Sequence, residues 1–183
     1  MSSILNNDNV VLLIIDLQDR LLAAQPKSEK ILKSTIKLAK AARILNIPII
    51  ATEQYPQGLG NTNLSLAAEL ALDAKIFEKT DFDCLKINAL VKYLKDLNRT
   101  QVIVCGVETH VCVHQTVSSL INNFFEVHLA QDCCGSRNKF EHKIGLKRMY
   151  SEKAIPSCCE MVIFELLKSS KHPDFKEIQG LIK

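Results

Sequence analysis

Three side chains suited to nucleophilic catalysis follow three different predicted strands. Asp16 ends a run of six apolar residues, Lys79 follows a later strand pattern, and Cys112 lies at the start of a helix pattern. Because the carboxyl ends of parallel strands meet at one edge of a sheet, we expect these side chains to converge. There, Asp16 can take the thiol proton, Lys79 can hold the carboxylate and stabilise negative charge, and Cys112 can attack a carbonyl carbon.

The position of Cys112 is predicted to favour the reactive form of its thiol. The first N–H groups of a helix are unpaired and its dipole is positive there, and both effects favour a thiolate. Taken singly, each residue has an ordinary interpretation. A free cysteine is usually an inert core residue, a lysine at a strand end is usually solvated, and Asp16 could cap a helix or pair with Arg20. It is the expected convergence that favours catalysis.

Short strand patterns alternate with longer helix patterns along the chain. The predicted strands are rich in valine and isoleucine: Val10–Ile15, Pro48–Ala51, Lys75–Glu78, Gln101–Cys105, Val127–Ala130 and Ala154–Pro156. The predicted helices have apolar residues at helical spacing: Ser28–Leu45, Leu64–Leu70, Lys86–Leu97, Val111–Asn122, Phe140–Tyr150, Cys159–Leu167 and Asp174–Ile182. This alternation predicts an α/β fold of three layers, a Rossmann-like doubly wound sheet of about six mainly parallel strands with helices on both faces. No linker interrupts it, so we expect a single domain over residues 1–183.

Composition narrows the class of protein and its partners. The net charge of +3 over 183 residues is small, and no basic run is interleaved with aromatic residues, so we expect no nucleic-acid partner. No apolar run approaches the roughly 20 residues that span a bilayer, so we expect no membrane partner. The cysteine count of seven is odd and no secretion signal is evident, which predicts free thiols and a cytoplasmic location.

The motifs around these residues resemble those of the isochorismatase-like cysteine hydrolases, a family that includes the nicotinamidases. Val10–Arg20 resembles the family's opening strand, Phe77–Phe82 its lysine motif, and Gly106–Val113 its nucleophile motif. Asp132 with Ser136 and Arg137 resembles a later signature. The loop Thr52–Gly60 and the tail His172–Gln179 are most similar to the isochorismatase domain-containing proteins.

The resemblance implies a catalytic triad of Asp16, Lys79 and Cys112. It also implies a cis peptide between Val107 and Glu108, and an oxyanion hole formed by the backbone N–H groups of Glu108 and Cys112. The reaction would pass through a thioester on Cys112 that water hydrolyses. Members of the family commonly form homo-oligomers, so a homo-oligomer is expected.

No metal and no cofactor are expected. Nicotinamidases carry an Asp-x-His metal motif after the second strand, whereas this chain has no histidine in Thr52–Pro56. His110 and His114 stand four residues apart on the nucleophile helix and could share a metal, but a packing or hydrogen-bonding role is the alternative that we favour. Tyr55 and Phe82 are candidates for lining a substrate pocket, or for plain packing.

The predicted function is therefore a cysteine hydrolase of a small amide or related carbonyl compound, acting on a small-molecule substrate. The alternative is a catalytically silent protein of the same fold, acting as an oligomeric scaffold or regulatory binding protein. A buried Asp16 argues against that alternative, because a scaffold has no use for a carboxylate in apolar surroundings. Nuclease activity is a third hypothesis, which the small net charge does not favour.

Overall fold

A six-stranded parallel sheet is the centre of the structure, which is a computed structural model that describes residues 4–70 and 74–182. The predicted single domain also includes residues 1–3, 71–73 and 183, which lie outside the described residues. The strands are β1 (Val10–Ile15), β2 (Ile49–Gln54), β3 (Lys75–Lys79), β4 (Gln101–Val107), β5 (Glu126–Gly135) and β6 (Ile155–Ser157). Their order across the sheet is β3-β2-β1-β4-β5-β6, and every pairing is parallel.

Nine α-helices surround the sheet in the part of the chain that the structure describes. They are α1 (Asp19–Ala23), α2 (Ser28–Ile44), α3 (Pro56–Leu59), α4 (Leu64–Ala67), α5 (Asn88–Asp96), α6 (His114–Asn122), α7 (Lys139–Ser151), α8 (Cys159–Leu167) and α9 (Phe175–Ile182). Helix α2 packs against α4, α8 and α9, whereas α6 packs against α7. The strand order reverses at β1, so the connections on its two sides cover opposite faces, as right-handed crossovers require. The predicted doubly wound α/β fold is confirmed.

The core of the sheet explains why its strands could be predicted. All residues of β1 and β4 are buried, because helices cover both faces of these central strands. The edge strand β3 is different, since only Lys79 among its residues is buried. No helix among residues 4–70 and 74–182 is long and apolar enough to cross a membrane.

Several elements differ from the sequence prediction near the carboxyl edge of the sheet. Strands β2 and β4 continue to Gln54 and Val107, past their predicted ends at Ala51 and Cys105. Strand β5 extends to Gly135 rather than ending at Ala130, because the polar residues Gln131 and Asp132 interrupt its apolar run without ending the strand. The helical turn after β4 begins at Thr109, two residues before the predicted start. It is a π-helical turn over Thr109–Val113, in which the Glu108 carbonyl accepts from the N–H groups of Val111 and Val113 at 3.0 and 3.2 Å.

Candidate active site

Asp16 is placed at the end of β1 by backbone contacts on both sides. Its N–H donates to the carbonyl of Thr52 at 3.1 Å, and its own carbonyl accepts from the N–H of Gln18 at 2.9 Å. The backbone is left-handed here, with φ of 54°. This turn stops the strand and leaves the carboxyl group fully buried at the sheet's edge.

The Asp16 carboxyl group is paired on both of its oxygens. Oδ2 lies 2.7 Å from Lys79 Nζ, and Oδ1 accepts a hydrogen bond of 2.7 Å from the hydroxyl of Thr52. Both side chains of the ion pair are almost inaccessible to solvent. Burial is the largest single influence and would lower the pKa of Lys79, but the charge of Asp16, together with Cys112 and Cys84, outweighs it and holds the pKa above its ordinary value. Lys79 is therefore an ammonium ion at neutral pH, and a buried carboxylate has its counter-ion.

Cys112 reaches the same cluster from β4 through the π-helical turn. Gly106 has φ of 128°, and a Cβ atom there would lie 2.1 Å from the carbonyl oxygen of Ile15, so glycine lets β4 pass close to the end of β1. The peptide bond between Val107 and Glu108 is cis. Cys112 Sγ lies 4.0 Å from Gln54 Oε1, and that same oxygen accepts from Lys79 Nζ at 2.5 Å. Asp16, Lys79 and Cys112 thus lie together at the carboxyl edge of the sheet.

The predicted thiolate at Cys112 is wrong for the protein at rest. Burial and the neighbouring Asp16 carboxylate raise the pKa of the Cys112 thiol to about 12, although Lys79 acts in the opposite direction. The thiol is 6% exposed, and the first turn of the helix does not compensate for lost hydration and a nearby negative charge. Attack by Cys112 therefore requires Asp16 to take the proton as the new bond forms.

The raised pKa leads to a prediction for alkylation by iodoacetamide. Labelling of Cys112 should be slow at pH 7 and should accelerate about tenfold per pH unit between roughly pH 8 and pH 11, because only the thiolate reacts. Peptide mass spectrometry against time gives the rate for each cysteine. Cys158 is the internal reference, since it alone of the seven cysteines is only partly buried. Equal rates at pH 7 and pH 9 for Cys112 would show that its thiolate already exists at rest.

The side chains around the nucleophile turn are fixed by hydrogen bonds. The N–H of Arg137 donates to Glu108 Oε1 at 3.0 Å, and the Thr109 hydroxyl donates to the carbonyl of Gly135 at 2.9 Å. His110 Nδ1 lies 3.0 Å from the hydroxyl of Ser136. The end of β5 therefore holds the turn that carries Cys112.

The two histidines of the nucleophile helix contact different glutamates. His110 Nε2 lies 3.4 Å from Glu141 Oε2, and His114 Nε2 lies 3.6 Å from Glu152 Oε1. The hydrogen-bond partners of the two rings are hydroxyl groups: Ser136 lies 3.0 Å from His110 Nδ1, and Ser118 lies 3.4 Å from His114 Nε2. Across residues 4–70 and 74–182, no group of three or more histidine, cysteine, aspartate or glutamate side chains is arranged to hold a metal ion.

Tyr55 and Phe82 lie at the rim of the site. Tyr55 lines a cavity of about 340 Å³ together with Lys79, and its ring packs over Gly58 so closely that a Cβ there would lie 2.2 Å from it. Phe82 is 51% exposed and is not among the residues that line this cavity. A larger cavity, of about 620 Å³, opens elsewhere along the edge and includes none of Asp16, Lys79 and Cys112.

Gln54 is a site residue that sequence reasoning did not single out. Its side-chain oxygen contacts both Lys79 and Cys112, and its Nε2 donates to the carbonyl of Thr80 at 2.8 Å. The residue ends β2, so the rule that sites form at the carboxyl ends of strands would have found it. In the sequence it belongs to the segment Thr52–Gly60, which is predicted to be a loop, and its neutral amide is neither a nucleophile nor a base.

The loop after β2 is held from outside by three side chains. Gln18 Nε2 donates to the carbonyl of Gly60 at 2.5 Å, and Arg20 donates to the carbonyl of Gly58. Glu53 is 5% exposed, and its Oε1 accepts from the N–H and hydroxyl of Thr62 at 2.6 and 2.8 Å. The path of the loop that borders the site thus depends on these contacts.

Replacing Glu53 with alanine is expected to release this loop. The N–H of Thr62 would lose its acceptor in a buried place, which costs about 1–3 kcal/mol of unfolding free energy. Limited proteolysis should then cut within residues 55–63, as followed by mass spectrometry. Gln57→Ala is the matched control in the exposed part of the loop and should leave cleavage unchanged. Resistance of Glu53→Ala to cleavage would contradict this role for Glu53.

Comparisons with known proteins identify the family and the fold of the chain. The isochorismatase domain matches residues 10–161. Isochorismatase domain-containing protein 2A of Mus musculus is 34% identical over 177 residues, covering 96% of this chain and 84% of its own length. A structure named MAR1 ribonuclease from Caenorhabditis elegans has a TM-score of 0.93 at 38% identity, covering 97% of this chain and 91% of its own.

A more distant structure shows the fold alone. The YcaC gene product of Escherichia coli, described as an octameric hydrolase of unknown specificity, has a TM-score of 0.89 at 23% identity. It covers 98% of this chain and 96% of its own. The matched domain spans most of the chain, and the mouse relative extends over nearly all of it. On this evidence the chain belongs to the isochorismatase domain family, whose members are generally cysteine hydrolases.

Proposed function

We propose that this protein is a cysteine hydrolase that cleaves the C–N bond of a small amide or a related carbonyl compound. The observation that carries the proposal is the buried cluster in which Asp16 pairs with Lys79 at 2.7 Å and Gln54 contacts both Lys79 and Cys112. A nucleophile, a base and a fixed cation are thus assembled at one edge of the sheet, which is the composition that covalent hydrolysis needs.

The first half of the reaction forms a thioester. Cys112 Sγ bonds to the carbonyl carbon while its proton passes to Asp16, and negative charge develops on the carbonyl oxygen. We assign the stabilisation of that charge to the backbone N–H groups of Glu108 and Cys112, which lie just before the π-helical turn and within it. Asp16 returns the proton to the departing nitrogen, the C–N bond breaks, and an amine or ammonia leaves.

The second half consumes water. The oxygen of a water molecule attacks the thioester carbon while Asp16 accepts a proton from that water. Asp16 then gives the proton to the Cys112 sulfur as the C–S bond breaks. The net change is an amide plus water to a carboxylic acid plus an amine. Lys79 keeps the Asp16 carboxylate in place through both halves and stabilises its charge between them.

A panel of small primary amides tests the proposal. Ammonia release should be seen with at least one of them, and acid-quenched enzyme should carry the matching acyl mass on the peptide containing Cys112. Cys158→Ala serves as the control variant, since that cysteine lies away from the cluster and should not affect either signal. Absence of both turnover and adduct across the panel would favour the silent scaffold instead.

Ribonuclease activity is a second candidate because the worm relative carries that name at 38% identity. In this chain, the buried Lys79 is already paired with Asp16 and is not free to bind a phosphate. We therefore rank amide hydrolysis first. Incubation with a labelled single-stranded RNA, with Cys112→Ala alongside, decides the matter: cleavage by both proteins to the same extent would indicate a contaminating nuclease.

We also propose that the protein acts as a homo-oligomer in the cytoplasm. An octameric relative of the same fold supports the homo-oligomer. The absence of a disulfide among the seven cysteines agrees with a cytoplasmic location. Light scattering coupled to size-exclusion chromatography measures the assembly directly.

A further inference from the structure

A cavity away from Cys112 has no role in the proposed reaction. It has a volume of about 620 Å³, within the range of small-molecule sites. Its lining comes from the ends of β5 and β6 and from the first turns of α2 and α7. It is therefore a second opening at the carboxyl edge of the sheet, which is the edge where ligands bind in folds of this kind.

Positive charge dominates the side chains of this cavity. Four of its lining residues are lysines and one is an aspartate: Lys27, Lys30, Lys139, Lys143 and Asp132. The aspartate is engaged, because Asp132 Oδ1 accepts from the N–H of Cys159 at 2.8 Å. Burial, followed by the charge of Lys27, lowers the pKa of the lining residue His142, so its ring is neutral at pH 7. The four ammonium groups favour an anion.

Three helices begin at this cavity, and their dipoles add to the same field. Lining residues include Ile31 in the first turn of α2, Lys139 at the start of α7, and Cys158, which precedes α8. Helix α2 has no side-chain cap. The N–H groups of Ser28 and Ile31 already donate to the carbonyls of Gln25 and Lys27, which leaves those of Glu29 and Lys30 to face an anion. The starts of α7 and α8 are each capped once, by Asn138 and by Asp132.

The buried hydroxyl of Ser157 is independent evidence that the cavity binds a ligand. Ser157 ends β6, lines the cavity and is 7% exposed, and its Oγ has no hydrogen-bond partner among the described residues. A buried polar group without a partner destabilises a protein and is uncommon in native structures. The hydroxyl is enclosed in this conformation, and a rotation of the Ser157 side chain about χ1 would turn it toward a ligand oxygen in the cavity, which would supply the partner that it lacks.

The remaining wall of the cavity is apolar. Ile31, Cys134 and Leu146 are buried residues of the core that also line it, and Pro26 adds a ring at the rim. A free inorganic ion would leave these surfaces uncovered. The combination fits a molecule with an anionic group and a hydrocarbon body.

We propose that this lysine-lined cavity binds a small organic phosphate, with the phosphate held by the lysines, the start of α2 and Ser157, and its body against Ile31 and Leu146. Phosphate suits the site because its oxygens can accept several hydrogen bonds at once from ammonium, hydroxyl and helix N–H donors. The cavity is separate from the Cys112 cluster, so binding does not depend on the proposed hydrolysis.

Calorimetric titration of the full-length protein with phenyl phosphate tests the site. One molecule should bind per chain, and the affinity should fall as salt is added. The double variant Lys30→Glu/Lys143→Glu should weaken binding at least about tenfold, since both charges are reversed at the phosphate. The matched control, Lys33→Glu/Lys147→Glu, makes the same charge change on the same helices outside the cavity and should weaken binding less. Cys112→Ala should bind phenyl phosphate as the unaltered protein does.

Ser157→Ala separates ligand binding from structure. It should weaken phenyl phosphate binding several-fold without lowering the melting temperature, because the hydroxyl has no partner to lose in the free protein. Phenol should not bind, and inorganic phosphate should bind more weakly than phenyl phosphate. Equal effects of the two double variants, equal binding of inorganic and phenyl phosphate, or tighter binding of a short RNA would each overturn the proposal.

Discussion

Replacing Cys112 with alanine is expected to reduce hydrolysis of any amide substrate by on the order of 10⁴-fold or more. The variant loses the atom that bonds to the carbonyl carbon, and no other thiol contacts Gln54 or Lys79 in the described structure. A direct attack by water, with Asp16 as base and the same N–H groups around the oxyanion, is the only route left in the site. Steady-state ammonia release with the best substrate measures the loss.

Two further variants test whether the loss of activity comes from the missing nucleophile. Cys84 is a second buried thiol near the cluster, with its Sγ 3.8 Å from the hydroxyl of Thr52, and Cys84→Ala should retain most of the activity. Asp16→Asn should be as inactive as Cys112→Ala, because asparagine cannot accept the thiol proton. This variant leaves the Lys79 ammonium group buried without its counter-ion, so circular dichroism must show that it is folded before the activities are compared. Full activity of Cys112→Ala would show that the hydrolysis does not pass through a thioester.

Replacing Lys79 with methionine is expected to lower the free energy of unfolding by about 3–5 kcal/mol. Methionine fills a similar volume, but it leaves the fully buried Asp16 carboxylate with only the Thr52 hydroxyl as a partner. An unpaired buried charge is costly, so Asp16 would take up a proton and would no longer serve as a base. Urea denaturation measures the free energy of unfolding, and an assay of the same preparation measures the loss of hydrolytic activity.

Two controls distinguish the loss of the buried ion pair from the effect of a lysine-to-methionine change as such. Lys75→Met makes the same change on the same strand at an exposed position and should alter stability by less than about 0.5 kcal/mol. The double variant Asp16→Asn/Lys79→Met removes both charges and should regain much of the stability without regaining activity. If Lys79→Met is no less stable than Lys75→Met, the buried pair does not have the importance that its geometry implies.

The fold could be predicted because its central strands β1 and β4 have no solvent-exposed face. Continuous apolar runs such as Val10–Ile15 are required by burial on both sides, and such runs are visible in a sequence. The convergence of Asp16 and Lys79 followed from that architecture alone, since parallel strands end at the same edge. The short helices α1 and α3 were missed because four or five residues carry too little periodicity to recognise.

The parts of the site that could not be predicted depend on contacts between distant segments. Gln54 and Glu53 look like ordinary polar residues in the sequence. The pairing of β2 with β3 brings Gln54 to Lys79, and the path of the following loop brings Thr62 to Glu53. The state of the Cys112 thiol was misjudged for a related reason. A helix start is a local feature, whereas burial and the charge of Asp16 are products of the whole fold.

The loop after β2 is supported mainly by side chains that lie outside it and bond to its backbone: Gln18 to Gly60, Arg20 to Gly58, and Glu53 to Thr62. Because these anchors recognise carbonyl and N–H groups, they do not constrain the identity of the exposed side chains Tyr55 and Gln57. A combinatorial library at those two positions should therefore keep the backbone intact while it changes the surface beside Lys79. The protein is, in this respect, a ready scaffold for directed evolution of new amidases, with Gln18, Arg20 and Glu53 left unchanged.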